Sequence, residues 1–251
     1  MTAPHLPDDA TRSRWRGGVV VGPGLMAFTG RIGDAPAHAH AGVQVLFVAR
    51  GRIVLRDAEG GEAVAEMAII PPGVGHEVRA DPDTIGFVAY LDPDGLTARA
   101  ALRRFAGLST GRAESWVAAA QPRPPANPLD LPAGNVRSTH PAVADALRIA
   151  TGYEGGPPTL VELAARVGIS PSRLSHVFAT EVGLPYAAWR RWTRLQLGLG
   201  VVGSGGSLTE AAHAVGFADS AHLTRTCREL MGLTPTEVLI AIGWRPDPQV
   251  S

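Results

Sequence analysis

Lysine is absent: all 23 basic residues of this 251-residue chain are Arg, and 23 Asp and Glu bring the formal net charge to zero. That balance excludes a broadly basic surface that grips nucleic acid by charge alone, because such affinity rests on neutralising many phosphates. Any contact with DNA has to come from local placement of Arg, whose planar fork suits phosphate and guanine. The Arg-only usage itself is first a sign of a GC-rich genome. Cysteine is almost missing, and with Cys227 alone no intramolecular disulfide or thiolate metal cluster can form. No apolar run approaches the ~18–20 residues that cross a bilayer. Residues 1–9, with Pro7, Asp8 and Asp9, lack the basic start and apolar stretch of a secretory leader. The expectation is a cytoplasmic protein with no membrane partner. No phosphate loop, nucleophile elbow or zinc-protease motif occurs, so the familiar enzyme signatures are absent too.

What is present is a globular composition, 45% hydrophobic and 18% charged, with length enough for two modest domains. Between residues 19 and 90 short apolar runs (43–48, 52–55, 68–70 and 85–91) are broken by Gly, Pro and Asp, which reads as strands of a sandwich or small barrel. Over 96–108 the period changes, with Leu102, Phe105, Ala106 and Leu108 at near-helical spacing. Residues 121–133 then hold five prolines and no sustained period, which marks a joint. Past it the pattern is helical. The expected class is α+β with two domains: β-rich over 1–120, a Pro-rich linker over 121–138, and an all-α domain over 139–245.

The helical half carries one grammar twice. Thr159 and Glu162 form a capping box that opens a helix; Gly168 turns the chain; Ser170 caps a second helix with Pro171 at its first position. About 50 residues later Ser207 and Glu210 open another helix, Gly216 turns, and Asp219 and Ser220 cap the next. Helix, tight turn, helix is a DNA-reading unit. Between the two units an amphipathic helix places Trp189, Trp192, Leu195 and Leu199 on one side and Arg190, Arg191 and Arg194 near the other.

Residues 160–239, through the ordered run of Gly216-Phe217, a polar turn, Leu223-Thr224-Arg225 and Gly232 with Pro235, resemble the AraC/XylS DNA-binding domain. Leu223 and Cys227 stand where that family commonly has Phe, an apolar exchange that should still pack. The resemblance implies two recognition helices entering successive major grooves of promoter DNA. Carried over, the first reading set is Ser172, Arg173, Ser175 and His176; the second is Ser220, Ala221, His222, Thr224 and Arg225. Arg173, Arg225 and Arg228 have the chemistry for guanine or phosphate, and Arg190, Arg191 and Arg194 are placed to meet backbone oxygens of the DNA. It also implies a homodimer, RNA polymerase as a further partner, and activation or repression of transcription. From residue 138 onward there are nine Arg and nine Asp or Glu, so specific placement has to carry binding.

In the first half, His38, His40 and Gln44 share parity, and on an unbroken strand would point to one face. Gly51 follows, and Pro71, Gly73 and His76 form a second cluster. The pairing resembles the two cupin motifs, with Gln44 where metal-binding cupins usually have Glu. The resemblance implies a cupin-like β-barrel in which His38, His40, Gln44 and His76 hold one divalent metal ion (Zn, Ni, Fe or Mn) or, without metal, hydrogen-bond a small-molecule effector. Phe47, Phe87 and Tyr90 are read as core that can also line a pocket. The alternative function is a metal-dependent cupin enzyme of the dioxygenase kind with a degenerate helical appendage.

Overall fold

The computed structural model describes residues 14–22, 25–121 and 140–241, so the Pro-rich joint, apart from Gln121, and Trp244 lie outside the described residues. The first half consists of β1 (Arg16–Gly22), β2 (Leu25–Arg31), β3 (Ala35–His38), β4 (Val43–Arg50), β5 (Ile53–Asp57), β6 (Glu62–Ala65), β7 (Met67–Ile70), β8 (His76–Ala80) and β9 (Ile85–Leu91), then α1 (Leu96–Arg103) and α2 (Ala113–Ala119). The second consists of α3 (Pro141–Thr151), α4 (Leu160–Val167), α5 (Pro171–Val182), α6 (Tyr186–Gly203), α7 (Leu208–Ala214), α8 (Ser220–Met231) and α9 (Pro235–Ala241).

The strands form two antiparallel sheets, ordered β1-β2-β9-β4-β7 and β3-β8-β5-β6, and no ladder joins them among the described residues. Alternation sets their faces: in β5 Ile53, Leu55 and Asp57 are buried while Arg56 is exposed. Asp57 is a polar tie in that core. Its carboxylate accepts backbone N–H bonds from Glu59, Gly61 and Ala113 at 3.0, 2.8 and 3.1 Å, which joins the β5–β6 turn to the start of α2. The same bonds, with Arg112 nearby, hold its carboxyl below the usual range against the opposing effect of burial. The helical period expected over 96–108 stops at Arg103; turns follow, and Gly107 takes φ +81°, a conformation that ends a helix.

The helical half is built from caps and an aromatic core. Both capping boxes form, Thr159 with Glu162 and Ser207 with Glu210. Ser170 and Asp219 cap α5 and α8 through the N–H groups of Arg173 and His222. Gly168 closes α4 at φ +72°, which any Cβ would strain. Trp189, Trp192, Tyr186 and Phe178 are almost fully buried, and Leu223 and Cys227 are fully buried, so the two apolar replacements do pack. The halves touch. The Ala39 N–H donates to the Glu229 carbonyl at 3.3 Å, and Trp192 Nε1–H donates to the Asp92 carboxylate at 3.2 Å.

Candidate functional site

Two groups of residues carry chemistry. The first lies on α5 and α8, each the second helix of a helix-turn-helix unit. Their buried sides hold Leu174, Phe178 and Val182 in α5, and Leu223, Thr226, Cys227, Leu230 and Met231 in α8. The opposite sides present Ser172, Arg173 and His176, and Ala221, His222, Arg225 and Arg228, all exposed; Ser175, Ser220 and Thr224 are half-buried. The polar residues of each helix therefore lie on the face its packing leaves free.

The Arg residues of α6 are placed differently. Arg190 Nε–H donates to the Pro157 carbonyl at 2.7 Å, and Arg191 pairs with Glu229 of α8 at 3.2 Å. Arg194 is half-buried against Gly216, with an Nε that has no partner. These three brace the two units against each other, and Arg191 is the most exposed of them.

The second group is the imidazole cluster. His38 ends β3, His76 begins β8 opposite it in register, and Gln44 reaches across from β4 in the other sheet. His40 sits in the bend between β3 and β4, so the strand that shared parity would require is broken. The side chains converge all the same, because the bend is pinned by the Gly73 N–H on the His40 carbonyl at 2.8 Å. One ligand atom from each of His38, His40 and His76 lies within 4.8 Å of the others.

Protonation is the decisive feature of this cluster. The Nδ1 atoms of His38, His40 and His76 lie 2.7, 2.7 and 3.1 Å from the carbonyls of Pro36, Gly42 and Val74, so each Nδ1 carries the proton and donates it. Burial pulls all three side chains below the ordinary histidine value, His38 to about 4, with the neighbouring rings adding to the effect on His38 and His76. Neutral rings that donate from Nδ1 have only lone pairs on Nε2. Yet Gln44 Oε1 lies 2.8 Å from His40 Nε2 and 3.1 Å from His76 Nε2, while His38 Nε2 is buried with no partner. Three ring lone pairs thus converge beside the Gln44 amide, which can turn either its NH2 toward His40 and His76 or its oxygen into a shared pocket of acceptors, and in both orientations His38 Nε2 keeps an unpaired lone pair. A cation there satisfies all three rings, and metal-bound His commonly gives its other N–H to a backbone carbonyl, as these do.

Tyr90 and Trp192 border the cluster, their rings 5.0 and 6.0 Å from His40. Phe47 and Phe87 pair with each other across β4 and β9 and stay half-buried away from it. A cleft of about 300 Å³ lined by Arg56, Asp57, Gly75, His76 and Glu77 reaches the His76 side. Trp192 gave no signal as a site residue in the sequence, since it is spaced as a core position of α6 and lies far along the chain from His40. Trp15 and Trp116 are packing residues, donating to the carbonyls of Asp34 and Thr110 at 3.0 and 2.7 Å, and His213 is exposed.

Residues 163–239 match the family described as "Helix-turn-helix domain". No curated protein matches the chain. Among solved structures, a transcriptional regulator of the AraC-type DNA-binding domain group from Chromobacterium violaceum aligns over 43% of this chain and 95% of its own, at 22% identity and TM-score 0.38. Apo ToxT from Vibrio cholerae aligns over 90% of this chain and 100% of its own, at 8% identity and TM-score 0.54. ToxT with bound unsaturated fatty acid aligns over 89% and 98%, again at 8% and 0.54. At that identity the ToxT likeness concerns the fold, and it extends over both halves. No helix among the described residues is long and apolar enough to cross a membrane. Residues 163–239 thus form a helix-turn-helix domain, carried behind a β-rich N-terminal half, and the fold of both halves together is similar to that of ToxT.

Proposed function

We propose that the chain is a sequence-specific DNA-binding regulator of transcription whose N-terminal half senses a divalent metal ion. The observation that carries the DNA reading is the repeat: two capped helix-turn-helix units, each exposing a polar face with Arg on its second helix, joined by one rigid helix. Arg173 in the first unit, and Arg225 and Arg228 in the second, are the exposed cations that serve guanine or phosphate there. With no excess of positive charge behind them, binding depends on both units acting together, which makes specific contacts outweigh non-specific ones.

The metal reading is supported by the three Nε2 lone pairs, which converge beside the Gln44 amide, and by the buried His38 Nε2 that has no partner. His38, His40 and His76 would hold the ion through Nε2, with Gln44 as a weaker oxygen ligand; imidazole suits Zn, Ni and Fe in particular. The ion supplies a fixed positive charge that the neutral pocket lacks, and in this reading it is a signal and not a reagent.

The test is footprinting and gel-shift analysis of the full-length protein on the promoter beside its own gene, with Zn(II) or Ni(II) added or with chelator. Protection of two adjacent major-groove segments that responds to metal is the expected result. Absence of protection under every condition would remove the DNA reading, and protection indifferent to metal would remove the sensor reading.

A further inference from the structure

The His38–His40 segment turns its rings inward, and the helical half packs directly upon its other side. Gly42, two residues past His40, faces the Trp192 ring so closely that a Cβ added there would come within 3.0 Å of it. Trp192 itself stands 6.0 Å from the His40 ring and is anchored through Nε1–H to Asp92 at the end of β9. On the other side, Gly232 closes α8 at φ +69°, and a Cβ there would lie 2.9 Å from the Pro36 carbonyl and 3.1 Å from His38 Nδ1. That carbonyl is the one the His38 ring uses to fix its proton. Between these contacts the Ala39 N–H donates to the Glu229 carbonyl in the last turn of α8, where helix carbonyls have no partner within the helix. Arg191 of α6 binds the Glu229 carboxylate, so α6 and α8 meet the segment as one body.

We propose that Trp192 and the Glu229–Gly232 end of α8 are the outer wall of the metal pocket, so that a metal ion and the docking of the helical half on the β-rich half stabilise each other. The inference rests on the metal reading above. Its physical basis is that two of the three imidazoles, His38 and His40, sit two residues apart on one short segment whose other side is the docking surface. An ion that fixes both rings removes the freedom of that segment, and the helices then dock on a surface already in shape. Trp192 is accordingly a positioning residue: it touches His40 from outside and contributes no ligand atom. Since the N-terminal half of α8 carries Ser220, Ala221, His222, Thr224 and Arg225, holding its last turn also fixes how that reading face is presented. Coupling of this kind is reciprocal.

Hydrogen exchange of the full chain, read by mass spectrometry with Zn(II) and with chelator, tests the proposal together with zinc titration by calorimetry. Zinc should slow exchange about 10-fold in the last turn of α8 and around Trp192 as well as in the pocket strands, while α4 and α5, which do not touch the pocket, stay unchanged. Reciprocally, Trp192→Ala should weaken zinc binding about 10-fold, as loss of a ligand-orienting neighbour does, and Trp192→Phe should restore most of it. Gly232→Ala, built on the opposite wall, should act in the same direction if Trp192→Ala fails to fold. Protection confined to the pocket strands, or zinc bound by both variants as by the parent chain, would overturn the coupling and leave the metal site standing. Absence of zinc binding by the parent chain would overturn the metal reading and the coupling with it.

Discussion

Acidification of the metal-free protein should cost it stability in a window that the imidazole cluster sets. His38 has a folded value of about 4 against an ordinary 6.5, depressed by burial and then by the charge of His40. A base with a depressed folded value is neutral in the folded chain and takes up its proton on unfolding. Its contribution is therefore fully present above 6.5, falls as the pH drops below 6.5, and levels off near 4. At about 1.4 kcal/mol per pKa unit the interval corresponds to about 3 kcal/mol from this one group, a large share of the ~5–15 kcal/mol that holds a typical domain folded. His40 and His76 shift in the same direction and deepen the loss. Asp57 is depressed as a carboxylate, so what it contributes is lost only at more acidic pH, below the histidine window. Asp92, raised by burial and by Asp94, works the other way, and the measurement therefore needs a difference. Urea unfolding in chelator, followed in steps from pH 7.5 to about 4.5, gives the slope for the parent and for His38→Gln. The parent should lose about 2.5 kcal/mol more than the variant across that range. Parallel slopes for the two proteins would refute the burial of a neutral His38.

Three further outcomes follow from particular contacts. Arg225→Ala should weaken binding to the specific site by about 1–3 kcal/mol if the guanidinium meets a base, measured by gel shift against a scrambled site at fixed salt; unchanged affinity removes Arg225 from the reading set. Ser207→Ala deletes the hydroxyl that accepts the Glu210 N–H at 3.2 Å, and should cost about 1 kcal/mol in thermal or urea unfolding. Asp57→Ala leaves the N–H groups of Glu59, Gly61 and Ala113 without their acceptor, and should cost about 3 kcal/mol, with Asp57→Asn recovering part because it keeps one oxygen.

The helical half was legible because its signals are local. A capping box, a Pro at the first helical position and a Gly at a left-handed C-cap act over four or five residues, and the repeat of that grammar from Thr159 to Gly168 and from Ser207 to Gly216 identified both units. Leu223 and Cys227, expected to pack because they are apolar where the resembled family commonly has Phe, are fully buried. The strands over 43–48 and 85–91 were legible from apolar runs, whereas β1, β3, β6 and β8 are short or Gly-broken and show little period in themselves. The end of α1 was misplaced because Phe105 and Leu108 continue the helical spacing after the backbone has left the helix.

The imidazole cluster divides along the same physical line. That His38, His40, Gln44 and His76 belong together was written in their spacing and in the turn before His76, although the reason offered, one unbroken strand, does not hold: a bend separates β3 from β4. Where the protons sit could not be read from the sequence, because tautomer and burial depend on carbonyls and sheets brought together by folding. Nor could the roles of Tyr90 and Trp192, which meet His40 only through long-range packing. Local backbone chemistry thus determined that this chain carries two helix-turn-helix units behind a β-rich half with a histidine motif. Tertiary structure alone decided that the lone pairs of the histidines face one another around Gln44, and that the helical half rests against the segment that bears two of them.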